Sequence, residues 1–85
     1  MKIVIAGAGK LGMSVAKALL GGDHSVTIVD TDENLLQKIS SQIDVMTIKG
    51  NAKEIKILKQ LDIDSYDFLI TTTGNDEANI VIASF

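Results

Sequence analysis

The stretch Ile3-Val4-Ile5-Ala6-Gly7-Ala8-Gly9-Lys10-Leu11-Gly12 decides the fold. Four small or apolar residues run into Gly7-x-Gly9-x-x-Gly12, and an amphipathic stretch follows at once. That order reads as a buried parallel strand, a tight turn and a helix start, the setting in which this glycine pattern signals dinucleotide binding. Gly7 lets the chain turn sharply out of the strand. Gly9 carries no Cβ, so a pyrophosphate can approach the backbone, and Gly12 lets the helix lie close on the strand. The free N–H groups and dipole of the helix then attract phosphate charge. A ligand-free glycine turn has the same letters, so the rest of the chain must decide.

Outward from that stretch, strands and helices alternate. The first strand is expected at Lys2 to Ala6 and the first helix at Lys10 to Leu20, with Leu11, Val15, Ala18 and Leu19 facing the sheet at helical spacing. Gly21-Gly22 ends that helix. Ser25 to Val29 is a short β-branched second strand. Thr31 or Asp32 caps a second helix over Glu33 to Ser41, with Leu35, Leu36 and Ile39 inward. Asp44 to Lys49 forms a third strand. Asn51 with Glu54 resembles a capping box for a third helix to Leu61, burying Ile55, Leu58 and Leu61. Asp67 to Thr72 is the fourth strand, and Asn75 or Asp76 starts a fourth helix. Parallel strands need such crossovers, so the expected fold is an α/β, Rossmann-like doubly wound parallel sheet of about four strands in order 3-2-1-4. A complete unit has about six strands. The chain is therefore expected to be the N-terminal part of a Rossmann-type nucleotide-binding domain, with its fourth strand left as an exposed edge that invites self-association.

Composition narrows the function. The 85 residues include no cysteine, which excludes disulfides and thiolate metal sites, and the net charge is −3. All basic residues are scattered lysines, so no nucleic-acid footprint is visible. No apolar run approaches the roughly 20 residues of a membrane span. The first strand begins by residue 2 or 3, which leaves no room for a signal peptide, and an intracellular, cytoplasmic location is expected.

In a parallel sheet every strand's C-terminal end lies on one edge, where ligands bind at the reversal of strand order. Asp30 closes the second strand, 18 residues after Gly12, near the spacing of the acid that holds an adenosine ribose. A 2′-phosphate there would be repelled, and no arginine follows to receive one. Gly50-Asn51-Ala52 leaves room for a flat base at the end of the third strand, though Asn51 can equally be a cap. Thr71-Thr72-Thr73-Gly74-Asn75-Asp76 offers hydroxyls beside a helix start. Lys10, inside the glycine turn, could approach a phosphate. No catalytic set assembles: the one histidine, His24, precedes the second strand on the opposite edge and reads as a solvated turn residue. Tyr66 lies on that far side too.

With these motifs in hand, the chain resembles the KTN or RCK domain, the N-terminal half of TrkA-type regulators of potassium uptake. The matching runs are residues 5–12, then Val26-Thr27-Ile28-Val29-Asp30-Thr31-Asp32, Gly50-Asn51-Ala52, and Thr71-Thr72-Thr73-Gly74-Asn75-Asp76-Glu77-Ala78-Asn79. The last run is the most particular. The resemblance implies a cytosolic sensor, not an enzyme, that binds NAD(H), or ATP and ADP in some members. It also implies homo-oligomers assembled on a membrane potassium channel or transporter. By position, Gly7, Gly9 and Gly12 would meet phosphates, Asp30 the adenosine ribose, and Asn51 and Ala52 the base, with Ala8, Lys10, Leu11 and Thr31 also expected among the cofactor-binding residues. Thr72, Thr73 and Asp76 would meet the second phosphate or ribose. The family often has Asp where Asn51 stands. The alternative is the cofactor-binding domain of an NAD-dependent dehydrogenase, which the same first 30 residues would serve.

Overall fold

A computed structural model describes residues 1–51, 54–62, 65–72 and 78–82 of the chain. The elements run β1 (Lys2–Ala6), α1 (Lys10–Leu20), β2 (Ser25–Asp30), α2 (Glu33–Gln42), β3 (Met46–Lys49), α3 (Ile55–Leu61), β4 (Phe68–Thr72) and β5 (Ala78–Ile82). The sheet order is β3-β2-β1-β4-β5. The first four strands are parallel, in the expected 3-2-1-4 order, and their register sets Ala6 beside Val29 and Thr71.

The strands are apolar along their length because both faces of the sheet are covered. Ile3, Ile5, Val26, Ile28 and Ile70 meet Ala16 of α1 and Leu36 and Ile39 of α2. Val4 and Val29 point to the other face, where Ile57 of α3 and Tyr66 cover them. Successive strand residues thus serve two cores, the mark of a doubly wound sheet. Val4, Ile5, Ile28 and Val29 are fully buried, and each such side chain contributes about 1.5–3 kcal/mol. Tyr66 precedes β4 and is buried; its hydroxyl shares a 2.8 Å hydrogen bond with Thr27, so the polar tip of the second core is satisfied.

Four expectations change. In place of a fourth helix, residues 78–82 form β5, antiparallel to β4 with Ile70 opposite Ile80. Ile80, Val81 and Ile82 are β-branched and lose χ1 freedom in a helix, while pairing satisfies the backbone groups along β4. β4 is therefore not a free edge; among the described residues the outer strands are β3 and β5. On α1, Ala18 is exposed, and the deepest positions are the small residues Gly12 and Ala16. His24 is half-buried against Gly22, and its Nδ1 is shielded with no hydrogen-bond partner among the described residues. The expected start of the fourth helix at Asn75 or Asp76, and the side chains of Ile55, Leu58 and Leu61, lie outside the described residues.

Candidate functional site

Three parallel strands end beside one another at the carboxyl edge of the sheet. β1 exits through Gly7, which has φ +129°, a backbone region that side chains disfavour. A Cβ on Gly7 would collide with the hydroxyl of Thr72, which sits over the turn and donates to the Ala6 carbonyl at 3.4 Å. Gly12 is equally constrained: a Cβ there would strike the carbonyl oxygen of Gly7. The close approach that Gly12 permits is thus of helix to turn, more than of helix to strand. Gly9 differs from both, since a Cβ on it would meet nothing within 4 Å among the described residues.

The backbone donors of this turn divide into two groups. Gly7 donates to the Val29 carbonyl at 2.8 Å and Ala8 to Asp30 Oδ2 at 2.7 Å. The amides of Gly9, Lys10, Leu11 and Gly12 have no acceptor among the described residues, and Met13 makes the first helical bond, to Gly9. Gly9 is the N-cap of α1 and supplies no side-chain cap. These are the orphan donors of a helix start, and they carry the positive end of the helix dipole.

A cavity of about 580 Å³ at this edge is lined by Ala6 and Gly7 at the end of β1, Val29, Asp30 and Thr31 at the end of β2, Gly50 and Asn51 after β3, and Leu69, Thr71 and Thr72 from β4. A shallower space of about 370 Å³ continues past Thr31, Gly50 and Asn51 to α3, beside Lys49 and Lys56. Lys49 pairs with Glu33 at 3.7 Å and Lys56 with Glu54 at 3.4 Å, both pairs exposed and therefore worth little. Asp30 belongs to the lining of the larger space. Its carboxylate points to the glycine turn, and its second oxygen accepts from the Asp32 amide at 2.8 Å.

The sequence-expected residues fall in three places. Gly7, Asp30, Thr31, Asn51 and Thr72 line the cavity together. Ala8, Gly9 and Lys10 line a neighbouring groove of about 470 Å³ between α1 and α2, while Leu11 and Gly12 follow in the first turn of α1. Ala52, Thr73 and Asp76 lie outside the described residues. Val29 and Leu69 form an apolar part of the lining that the motif reading did not single out; they are alternate residues of strands whose ends frame the cavity. A flat, weakly polar ring system suits such walls, and anionic groups suit the open amides. No group of metal-ligating side chains occurs among the described residues. Among them, too, no helix is long and apolar enough to cross a membrane.

A family model described as the TrkA-N domain matches residues 3–85. The Trk system potassium uptake protein TrkA homolog of Methanothermobacter thermautotrophicus is 36% identical over 81 residues, 95% of this chain and 38% of that protein. Its counterpart of the same name in Archaeoglobus fulgidus is 38% identical over 81 residues, 95% of this chain and 18% of that protein. The chain thus spans well under half the length of these relatives. Among solved structures, the Shewanella denitrificans Kef CTD in AMP bound form superimposes with a TM-score of 0.65 at 24% identity, covering 81% of this chain and 40% of that one. That likeness shows the Rossmann-like fold.

Proposed function

This chain belongs to the TrkA-N domain family, and we propose that it is the adenine-nucleotide-binding part of a regulator of potassium uptake. NAD(H) is the proposed ligand, with ATP or ADP the nearest rivals. The observation that carries the reading is the uncapped N-terminus of α1, one residue past the Ala8 amide that Asp30 of the cavity wall holds. In that site the phosphates would lie on the amides of Gly9 to Gly12, and the ribose hydroxyls would donate to the remaining lone pairs of Asp30. The base would extend past Thr31 toward Asn51. Support for an adenine nucleotide also comes from the AMP held by the Kef domain of like fold, and support for the potassium role from the names of the relatives.

On this reading the chain does no chemistry of its own. It acts in the cytoplasm as a homo-oligomer against a membrane potassium channel or transporter. The nucleotide shifts that partner only if it binds two arrangements of the assembly with different affinity. Calorimetry of the chain with ADP, AMP and NADH tests the ligand class. Binding of at least one of them, with NADPH weaker than NADH, is the expected result. No heat and no amide shifts with any adenine nucleotide at millimolar concentration would refute it.

A further inference from the structure

Asp30 makes contacts that a sugar acceptor does not need. Its Oδ2 accepts from the amide of buried Ala8 at 2.7 Å and its Oδ1 from the amide of Asp32 at 2.8 Å. We propose that Asp30 is a positioning residue for the phosphate-binding turn: it braces the peptide between Gly7 and Gly9 so that the next amides face the anion. The proposal rests on the nucleotide reading above and assigns Asp30 a second task within it.

The physical need for a brace is local. Two of the three residues Gly7-Ala8-Gly9 are glycines, which populate wide regions of backbone space, and Gly7 sits at φ +129°. A turn of that kind stays in one conformation only when other groups fix its peptide planes. The end of β2 fixes two in succession, by the Val29 carbonyl on Gly7 and by the Asp30 carboxylate on Ala8. Donors beyond Ala8 are left for a ligand. The other carboxylate oxygen ties the same side chain to the backbone that leads into α2, so the carboxylate is itself immobilised. A carboxylate has about four acceptor positions, so these two bonds leave capacity for hydroxyls.

The two roles of Asp30 make opposite predictions for a ligand with phosphates and no sugar. If Asp30 touched only ribose, removing its charge would leave inorganic pyrophosphate unaffected or better bound, because a nearby negative charge is gone. If it braces the turn, pyrophosphate binding falls. Asp30→Asn is close in shape, but it offers one carbonyl and one NH₂, so either Ala8 or Asp32 would face a donor.

The experiment is a titration of the 15N-labelled chain with pyrophosphate and, separately, with adenosine, together with hydrogen exchange at Ala8. In Asp30→Asn, pyrophosphate is expected to bind roughly tenfold more weakly, the usual order for a lost bond to a charged group, and the Ala8 amide to exchange faster. Val4 and Ile5 of β1 should keep their protection, which reports an intact sheet. A variant that weakens adenosine alone, with pyrophosphate affinity and Ala8 exchange as in the parent, overturns the proposal. Should the variant fail to fold, the parent decides: its Ala8 amide is expected to be protected and to shift on adding pyrophosphate, and an unprotected Ala8 overturns the proposal. Parent chain that binds ADP but no pyrophosphate also overturns it while leaving the nucleotide reading in place; failure with every adenine nucleotide removes that reading instead.

Discussion

The first turns of α1 and α2 leave parallel strands at the same edge of the sheet, yet the chain closes one and not the other. At α2 the N-cap is Asp32, whose carboxylate accepts from Asn34 at 3.0 Å and Leu35 at 3.3 Å, and Glu33 adds an acid to the first turn. At α1 the N-cap is Gly9, with no side-chain bond, no acid in the first turn and Lys10 as its first residue. A good cap is worth about 1 kcal/mol and an acid near the dipole adds a few tenths. The chain forgoes both at α1, and Lys10 there suits an added anion better than it suits the helix alone. Open donors at one helix start and closed donors at the other are what would separate a binding end from a structural one.

The strongest test of this contrast separates the glycines. In Gly12→Val the new side chain meets the carbonyl of Gly7, a backbone atom that cannot swing aside. Overpacking of that kind should cost about 3 kcal/mol, read as a lower urea midpoint, a large share of what a small domain has. A loss under about 1 kcal/mol would mean that α1 can lift from the turn. Gly9→Val should do the reverse. Its Cβ enters open space and its backbone, at φ −71° and ψ −168°, is extended, so the fold tolerates it. The same side chain stands where phosphate would approach, and ADP affinity should fall at least about a hundredfold, or about 2.7 kcal/mol. Retained ADP binding in a folded Gly9→Val chain would move the phosphate elsewhere.

How much of this could be read from letters alone follows from range. The first four strands and their order came from alternation and the glycine turn, because buried parallel strands must be apolar runs joined by helices. The spacing from Gly12 also placed Asp30 at the right strand end. What could not be read was contact between residues distant in sequence. That Asp30 bonds Ala8, 22 positions away, depends on how the turn folds over β2. On α1, hydrophobic periodicity favoured Leu11 and Ala18, whereas the deepest positions are small, Gly12 against the turn and Ala16 against the sheet. Residues 78–82 misled for another reason. Five residues, four of them apolar, are too few to separate a strand from a helix by period, and the choice fell to the free edge of β4. His24 looked solvated because turns usually are, but Gly22 beside it leaves a space that the ring occupies.

The closed end gives a smaller effect on the other axis. Asp32→Ala removes both cap bonds of α2 and should lower stability by about 1 kcal/mol in urea unfolding. Because Asp32 holds only its own helix, ADP affinity should stay within about twofold of the parent. A larger loss of ADP would show that the Asp32 amide, held by Asp30 Oδ1, transmits disorder at α2 to the binding edge. In that event the two helix starts would be one mechanical unit and the contrast between them would need revision.

The last test converts the open end into the closed kind. Gly9 already has the extended backbone of an N-cap and room for a Cβ. In Gly9→Asp the carboxylate could accept from Leu11 or Gly12, as Asp32 does from Asn34 and Leu35. Glycine is itself a fair cap, so the gain in unfolding free energy should be only a few tenths of a kcal/mol. The same bonds fill the donors that a phosphate would use, and the added charge repels it, so ADP should bind more than about tenfold worse. Stability and affinity must therefore move in opposite directions. A Gly9→Asp chain that gained both would mean that the anion sits on other donors; one that lost both would mean that the helix start cannot accept a cap, and that its openness is imposed by the turn.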